Sequence, residues 1–214
     1  MDYFNDLLFK RSIMISKKAS DFIILHEIGS KSYYERFLQK PTWPGGESGI
    51  TIGLGYDCGY NTEKQFMLDW SGSLNPNFLT PLRKVIGLKG QHAKSMLKGE
   101  LLNVRVPYNM AYDVFLKSSL PRYYKMALSI YPDLGTLNED TQGAIVSMVF
   151  NRGASLEGES RKEMKAIVPL IAKADYEGIA DQIENSKRLW ENKQMEGLVL
   201  RREAESDLIR NSIT

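Results

Sequence analysis

Apolar residues recur at helical spacing along most of this chain and alternate in only one short stretch. Ala19, Phe22, Ile23, His26 and Glu27 fall at i, i+3, i+4, i+7 and i+8, the stripe of an amphipathic helix. Ser16 is suited to cap its N-terminus and Gly29 to stop it, which predicts a helix from Ser16 to about Ile28. Upstream, Phe4, Leu7, Leu8 and Arg11 suggest a short helix over residues 2–12 acting as a brace. Residues 33–43 are aromatic and basic (Tyr33, Tyr34, Arg36, Phe37, Trp43) and read as a connector or short strand. Such rings serve core packing or stack on sugars. The stretch from Pro44 to Tyr60 packs six glycines into seventeen residues. Within it Ile50, Ile52 and Leu54 alternate with Thr51, Gly53 and Gly55, the pattern of a tight β-hairpin. That frame would hold Thr51 and Asp57 rigidly, or be a structural hairpin only.

After Asn61 the pattern is helical throughout. Thr62-Glu63-Lys64-Gln65 reads as a capping box opening a helix to about Trp70, and Gly72 and Asn75-Pro76 break it. Short helices are predicted from Phe78 to Ile86 and from Gln91 to Lys98, then longer ones from Pro107 to about Ser119 and from Pro121 to near Tyr131. The helix from Asn138 to Asn151 is the most apolar. Its run Ala144-Ile145-Val146-Ser147-Met148-Val149-Phe150 leaves too little polar face for the surface, so it belongs at the centre of a helical lobe. A loop over 153–160 and helices near 161–173, 175–189 and 197–210 complete the chain. The expected fold class is α+β and predominantly helical, a small β-hairpin lobe plus a larger helical lobe with a cleft between them as the ligand site. Residues 1–15 read as an N-terminal extension and 16–214 as one domain.

Composition narrows the function classes. The chain has 214 residues and a net charge of +2, so no strong electrostatic case exists for nucleic acid as a partner. No apolar run approaches the roughly 20 residues of a membrane span, so no membrane insertion is expected. The first fifteen residues lack the apolar core and cleavage site of a signal peptide. The one cysteine, Cys58, permits no intrachain disulfide, which fits folding in a reducing compartment.

Several chemistries lose their support. His26-Glu27-Ile28-Gly29-Ser30 begins like HExxH, but Ser30 stands where the second histidine belongs. With only His26 and His92 in the chain, no zinc site is expected. His26 then reads as a packing or supporting residue. Nothing near Cys58 activates a thiolate, and a small buried residue is the better reading. Gly53-Leu54-Gly55 lacks the third glycine of a dinucleotide loop, and no phosphate-binding GxxxxGK[ST] loop exists. Carboxylate chemistry without metal or cofactor is left. Glu27 would sit in the last turn of its helix, on the face of Ala19 and Ile23. Apolar surroundings and the negative end of the helix dipole would both raise its pKa, as a general acid requires. The alternative is a glutamate at a helix end that turns to solvent.

With these residues in place the chain resembles the phage T4-type lysozymes, and especially the pesticin-like muramidase domains. The resemblance is carried by Glu27 ending the first core helix, by Ser48-Gly49-Ile50-Thr51-Ile52-Gly53-Leu54-Gly55-Tyr56-Asp57, by Phe150-Asn151-Arg152-Gly153, and by Gly197-Leu198-Val199-Leu200-Arg201-Arg202-Glu203-Ala204-Glu205. It covers about residues 16 to 210. The resemblance implies cleavage of the β-1,4 bond between N-acetylmuramic acid and N-acetylglucosamine. It makes Glu27 the general acid, Asp57 the second carboxylate and Thr51 the hydroxyl that holds the attacking water. Asp57, in a glycine-rich and polar segment, would stay ionised, so that two carboxylates in unlike environments separate acid from base. The acid follows the threonine here, as in the pesticin-like group, whereas T4-type enzymes place it before. Glu47 is therefore an alternative for the second carboxylate and Glu35 a weaker one.

Among the other matched residues, Asn151, Tyr56 and Arg152 are candidates for substrate binding. Asn151 could equally be a helix cap, and Arg152 a solvated or salt-bridged residue. Arg201, Arg202, Glu203 and Glu205 are expected to form inter-helix ion pairs. The implied partner is the peptidoglycan glycan strand, bound by a monomer. The protein would be made in the cytoplasm and reach the cell wall or periplasm by holin- or secretion-type delivery. If it is an effector, a cognate immunity protein would protect the producer. The competing readings are a catalytically silent peptidoglycan- or partner-binding module on the same fold, and a lytic transglycosylase, which needs only one acid.

Overall fold

A computed structural model describes residues 15–213. The predicted helix over 2–12 lies outside the described residues. The helices are α1 (Lys17–Ile28), α2 (Glu63–Trp70), α3 (Pro76–Arg83), α4 (Gly90–Met96), α5 (Tyr108–Val114), α6 (Leu120–Ile130), α7 (Glu139–Arg152), α8 (Lys162–Ala172), α9 (Tyr176–Asn185) and α10 (Glu196–Arg210). Strands β1 (Thr51–Ile52) and β2 (Tyr56–Asp57) form one antiparallel hairpin. This is the helical, lysozyme-like α+β fold that the sequence predicts. The chain divides into two compact units, one of Ile24–Leu120 and one of Met1–Ile23 with Pro121–Thr214.

The unit of Ile24–Leu120 holds the hairpin. Thr51 faces Asp57 and Ile52 faces Tyr56 across it. Thr42 adds a bridge on the other side of Thr51, with backbone hydrogen bonds of 2.8 and 3.0 Å. Gly53 and Gly55 turn the hairpin at φ of +57° and +68°, angles that cost a side chain dearly. A Cβ on Gly53 would also lie 2.9 Å from the Trp70 ring. Ile50, Ile52, Leu54, Tyr56 and Cys58 are all buried, with Phe66, Trp70 and Leu82. The Cys58 thiol is pushed well above its ordinary pKa, first by burial and then by Asp57 beside it, which makes it a packing group and not a nucleophile.

Residues 31–38 correct one expectation. They are neither connector nor strand but a helical turn (Lys31–Tyr33) that widens into a π-helical one (Tyr34–Leu38). Ser30 caps it by accepting from the Tyr33 N–H at 3.0 Å. Lys31 and Glu35 pair at i,i+4, 3.7 Å apart, and the Tyr33 and Phe37 rings meet at the same spacing, tilted, with centroids 4.9 Å apart. Local capping and i,i+4 pairs thus outweigh the strand preference of the aromatics. Only Thr42, in its bridge, keeps the extended character.

In the other unit, Ser16 caps α1 as predicted, its hydroxyl accepting from the Ala19 N–H at 2.9 Å. Asn138 caps α7 in the same way through the Thr141 N–H, also at 2.9 Å. From Thr141 to Val149 every residue of α7 is buried, so this helix is the core of its unit, as its composition requires. α10 packs on α7 and α9, and α8 on α9. Gly143 allows α7 to close on Ala19, whose Cβ a side chain at 143 would strike. Gly143→Ala gains about 1 kcal/mol of helix propensity, but the added methyl meets an alanine that has no rotamer to give way. The expected net loss is about 2 kcal/mol, read as a fall of roughly 5 °C in the thermal midpoint.

Arg201, Arg202 and Glu205 are buried, and Glu205 pairs with both arginines within α10. Glu205 accepts from Arg202 at 2.7 Å and from Arg201 at 3.3 Å. Positions three and four apart share a helix face, so this pairing is the local one. The inter-helix link is Ser147 of α7, which donates to Glu205 at 2.6 Å and accepts from Arg201 at 3.1 Å. Glu203 instead reaches Lys187, 3.0 Å away and half-exposed.

Candidate active site

Glu27 stands in the last turn of α1, one residue before the helix ends. Gly29 stops the helix there, at φ of +71° and with its N–H bonded to the Leu25 carbonyl. The Glu27 side chain is partly exposed and lines a small pocket of about 160 Å³. Thr51 lines the same pocket, with Lys40, Thr42, Leu38 and the turn glycines Gly53 and Gly55. The backbone of Thr51 is paired on both sides, to Thr42 and to Asp57, so the position of its hydroxyl-bearing side chain is fixed by the hairpin. Two of the three catalytic candidates therefore meet in one place. Lys40 and Thr42 join them although nothing in the sequence pattern singles them out; the extended character of the residues just before the glycine-rich stretch is the only trace.

Asp57 is placed differently. Its carboxylate accepts from the backbone N–H of Gly59 at 2.8 Å and from that of Gly49 at 3.0 and 3.1 Å. Gly49 is needed there because a Cβ would strike Asp57 Oδ1 and the Gly59 backbone. Asp57 is thus the cap of the turn Cys58–Tyr60 and the clasp of the hairpin, and the described lining of the Glu27 pocket does not include it. Asp57→Asn replaces one acceptor oxygen by a donor facing backbone N–H groups. It is expected to cost about 1–2 kcal/mol, measured by denaturation, before any effect on catalysis is counted. Glu47 is exposed and lies by the N-terminal turn of α4, its carboxylate 3.6 Å from where a Gly90 Cβ would be. Glu35 pairs with Lys31. Neither lines the pocket.

The substrate-binding candidates fare unequally. Tyr56 is buried; its hydroxyl donates to Asp69 at 2.9 Å and its ring stands edge-on to Trp70 at 5.4 Å. It is a core residue, and no face of it is left for a sugar. Its alternation with Asp57 on a two-residue strand turns it inward. Asn151 is exposed in the last turn of α7. Arg152 is drawn inward, donating to the Ser160 carbonyl and lying 5.3 Å from the Trp190 ring centroid. Burial, then Arg161 and Arg202 nearby, lower its pKa to about 10. It stays half-buried, its guanidinium over the π face of Trp190 and with Glu163 opposing part of that lowering.

A carboxyl group at a helix end, a threonine hydroxyl on a rigid strand and a pocket walled by glycines can protonate a leaving oxygen and hold a water. Residues 89–205, more than half of the chain, match the phage lysozyme family. The chain belongs to that family. At this level it is a peptidoglycan hydrolase, a glycoside hydrolase of the muramidase kind. The match begins after the hairpin and does not reach Glu27, Thr51 or Asp57. No curated protein matches the chain. Among the described residues no helix of this lysozyme-family chain is long and apolar enough to cross a membrane.

Proposed function

We propose that residues 16–214 act as one muramidase domain that hydrolyses the β-1,4 bond between N-acetylmuramic acid and N-acetylglucosamine by carboxylate acid/base chemistry. The observation that carries this reading is the meeting of Glu27 and Thr51 in one pocket of a lysozyme-family chain. Glu27 gives its proton to the glycosidic oxygen as the bond breaks, and the sugar carbon becomes oxocarbenium-like. Thr51 orients the water whose oxygen bonds to that carbon. Asp57 is the second carboxylate, the base that takes the proton this water gives up, acting from the strand position opposite Thr51 and held by the hairpin backbone. The substrate is the glycan strand of peptidoglycan. The protein acts on the wall after holin- or secretion-type delivery, as a bacteriolytic endolysin or antibacterial effector.

A second reading has one observation in its favour. Glu27 is the one carboxylate among the described residues lining the pocket, while Asp57 is engaged with backbone N–H groups. One acid suffices for a lytic transglycosylase, in which the substrate's own hydroxyl closes on the sugar carbon. Digestion of purified peptidoglycan with mass spectrometry of the products separates the two. Reducing N-acetylmuramic acid ends support hydrolysis; anhydro ends convert the reading to transglycosylase. No cleavage of several peptidoglycan types by the folded protein would overturn both.

A further inference from the structure

The helical segment 31–38 presents a feature that neither packing nor the acid/base reading uses. Tyr34 is its inward ring, fully buried, its hydroxyl donating to the Val106 carbonyl at 2.9 Å. Tyr33 and Phe37 point the other way. They are 51 % and 52 % exposed, yet in contact with each other, with centroids 4.9 Å apart and ring planes tilted by 47°. An exposed aromatic pair that is already ordered is unusual for a surface, because each ring leaves apolar area in water. A cation borders it: the Arg36 guanidinium lies 5.1 Å from the Phe37 centroid, while Lys31 on the same segment is paired with Glu35. The segment ends on Leu38, and Leu38 and Lys40 line the pocket of Glu27 and Thr51. The platform is therefore continuous in the chain with the wall of the candidate active site.

We infer that Tyr33 and Phe37 form a stacking platform for an N-acetylhexosamine ring of the glycan strand beyond the cleaved bond, with Arg36 meeting the carboxylates that the strand carries. The inference rests on the muramidase reading for the identity of the polymer. The chemistry selects this occupant. Pyranose rings present flat C–H faces that pack on aromatic faces, and muramic acid bears a lactyl carboxylate or a peptide stem that suits a guanidinium. A purely apolar protein partner would leave Arg36 desolvated beside the rings. Two rings held in place beforehand bind at low entropic cost. Placed away from the reacting atoms, they add uniform binding, which alters KM and leaves kcat.

The test uses Glu27→Gln as the background for binding, so that cleavage cannot obscure it. In sedimentation with purified peptidoglycan, adding Tyr33→Ala and Phe37→Ala should weaken binding about tenfold or more. Phe37→Leu, which keeps apolar area without a ring, should also weaken it, whereas Phe37→Trp should restore it. In the active enzyme the double alanine variant should raise KM on long glycan strands by a similar factor with kcat kept, and leave short oligosaccharides unaffected. Because both rings are half-exposed and their i,i+4 contact is worth about 0.5 kcal/mol at most, the thermal midpoint should fall by no more than about 2 °C. Unaltered binding by the folded double variant would overturn the platform. So would full binding by Phe37→Leu, or a loss of wild-type self-association in the double variant with no loss of glycan binding. If the wild type cleaves nothing but Tyr33 and Phe37 still govern glycan binding, the platform stands and the muramidase reading falls.

Discussion

Glu27→Gln should lower the rate of peptidoglycan cleavage by about 10²–10⁴-fold while leaving binding and fold intact. The substitution keeps the shape of the side chain and removes the proton that the leaving oxygen must receive. Glu27 is at the end of α1 and partly exposed, and the helix is stopped by Gly29 and anchored by the buried Ile23, Ile24 and Ile28, packing that an isosteric amide leaves in place. The measurement is turnover on purified peptidoglycan beside sedimentation binding. A loss confined to kcat places the group in the transition state. Retention of cleavage within a few-fold would remove Glu27 from the chemistry. Thr51→Val, nearly isosteric, should lose less, because a water can still enter without its orienting hydroxyl, and the hairpin register that fixes Thr51 is carried by backbone bonds.

The largest effect on stability is expected far from that chemistry, at Glu205. Arg202 and Glu205 are fully buried and Arg201 nearly so. Burial pulls the Arg202 pKa down, and Glu205 is what opposes that pull. Glu205→Ala would take from the buried Arg202 guanidinium the carboxylate that balances it, and from the Ser147 hydroxyl the acceptor to which it donates. Removing one partner of a buried pair costs about 3–5 kcal/mol, which is a large share of the stability of a domain. Glu205→Gln keeps an acceptor oxygen and should cost less. Glu203→Ala is the control: its pair with Lys187 is half-exposed and should be worth under about 1 kcal/mol. Chemical denaturation of the three variants gives the order. A Glu205→Ala variant as stable as Glu203→Ala would mean that the cluster holds nothing together.

What was readable in the sequence was whatever local chemistry decides. Ser16 and Asn138 are caps because a short side-chain oxygen satisfies N–H groups within the next turn. α7 is central because seven successive residues from Ala144 leave it no polar face. The hairpin is legible because glycine adopts the positive φ at Gly53 and Gly55 with the least strain. The lysozyme family and its α+β architecture follow from such features in order along the chain. The least readable segment was 33–43, where strand-favouring aromatics compete with a Ser30 cap and i,i+4 pairs. Side-chain pairs at that spacing exist only once the helix has formed, so composition points the wrong way.

By itself, then, the sequence singled out the candidates for the proposed chemistry: an acid at a helix end, a threonine between glycines, an aspartate after it. The tertiary structure decided where each one points. It turned Tyr56 into the core against Trp70 and gave the Asp57 carboxylate to the N–H groups of Gly49 and Gly59. It drew Arg152 over Trp190 and left Tyr33 and Phe37 in contact with each other at the surface. The physical reason is one of range. Caps, turns and periodicity depend on neighbours a few residues away, whereas the direction of a side chain on a two-residue strand, or of a guanidinium beside a distant indole, is set by groups that only the folded chain brings near.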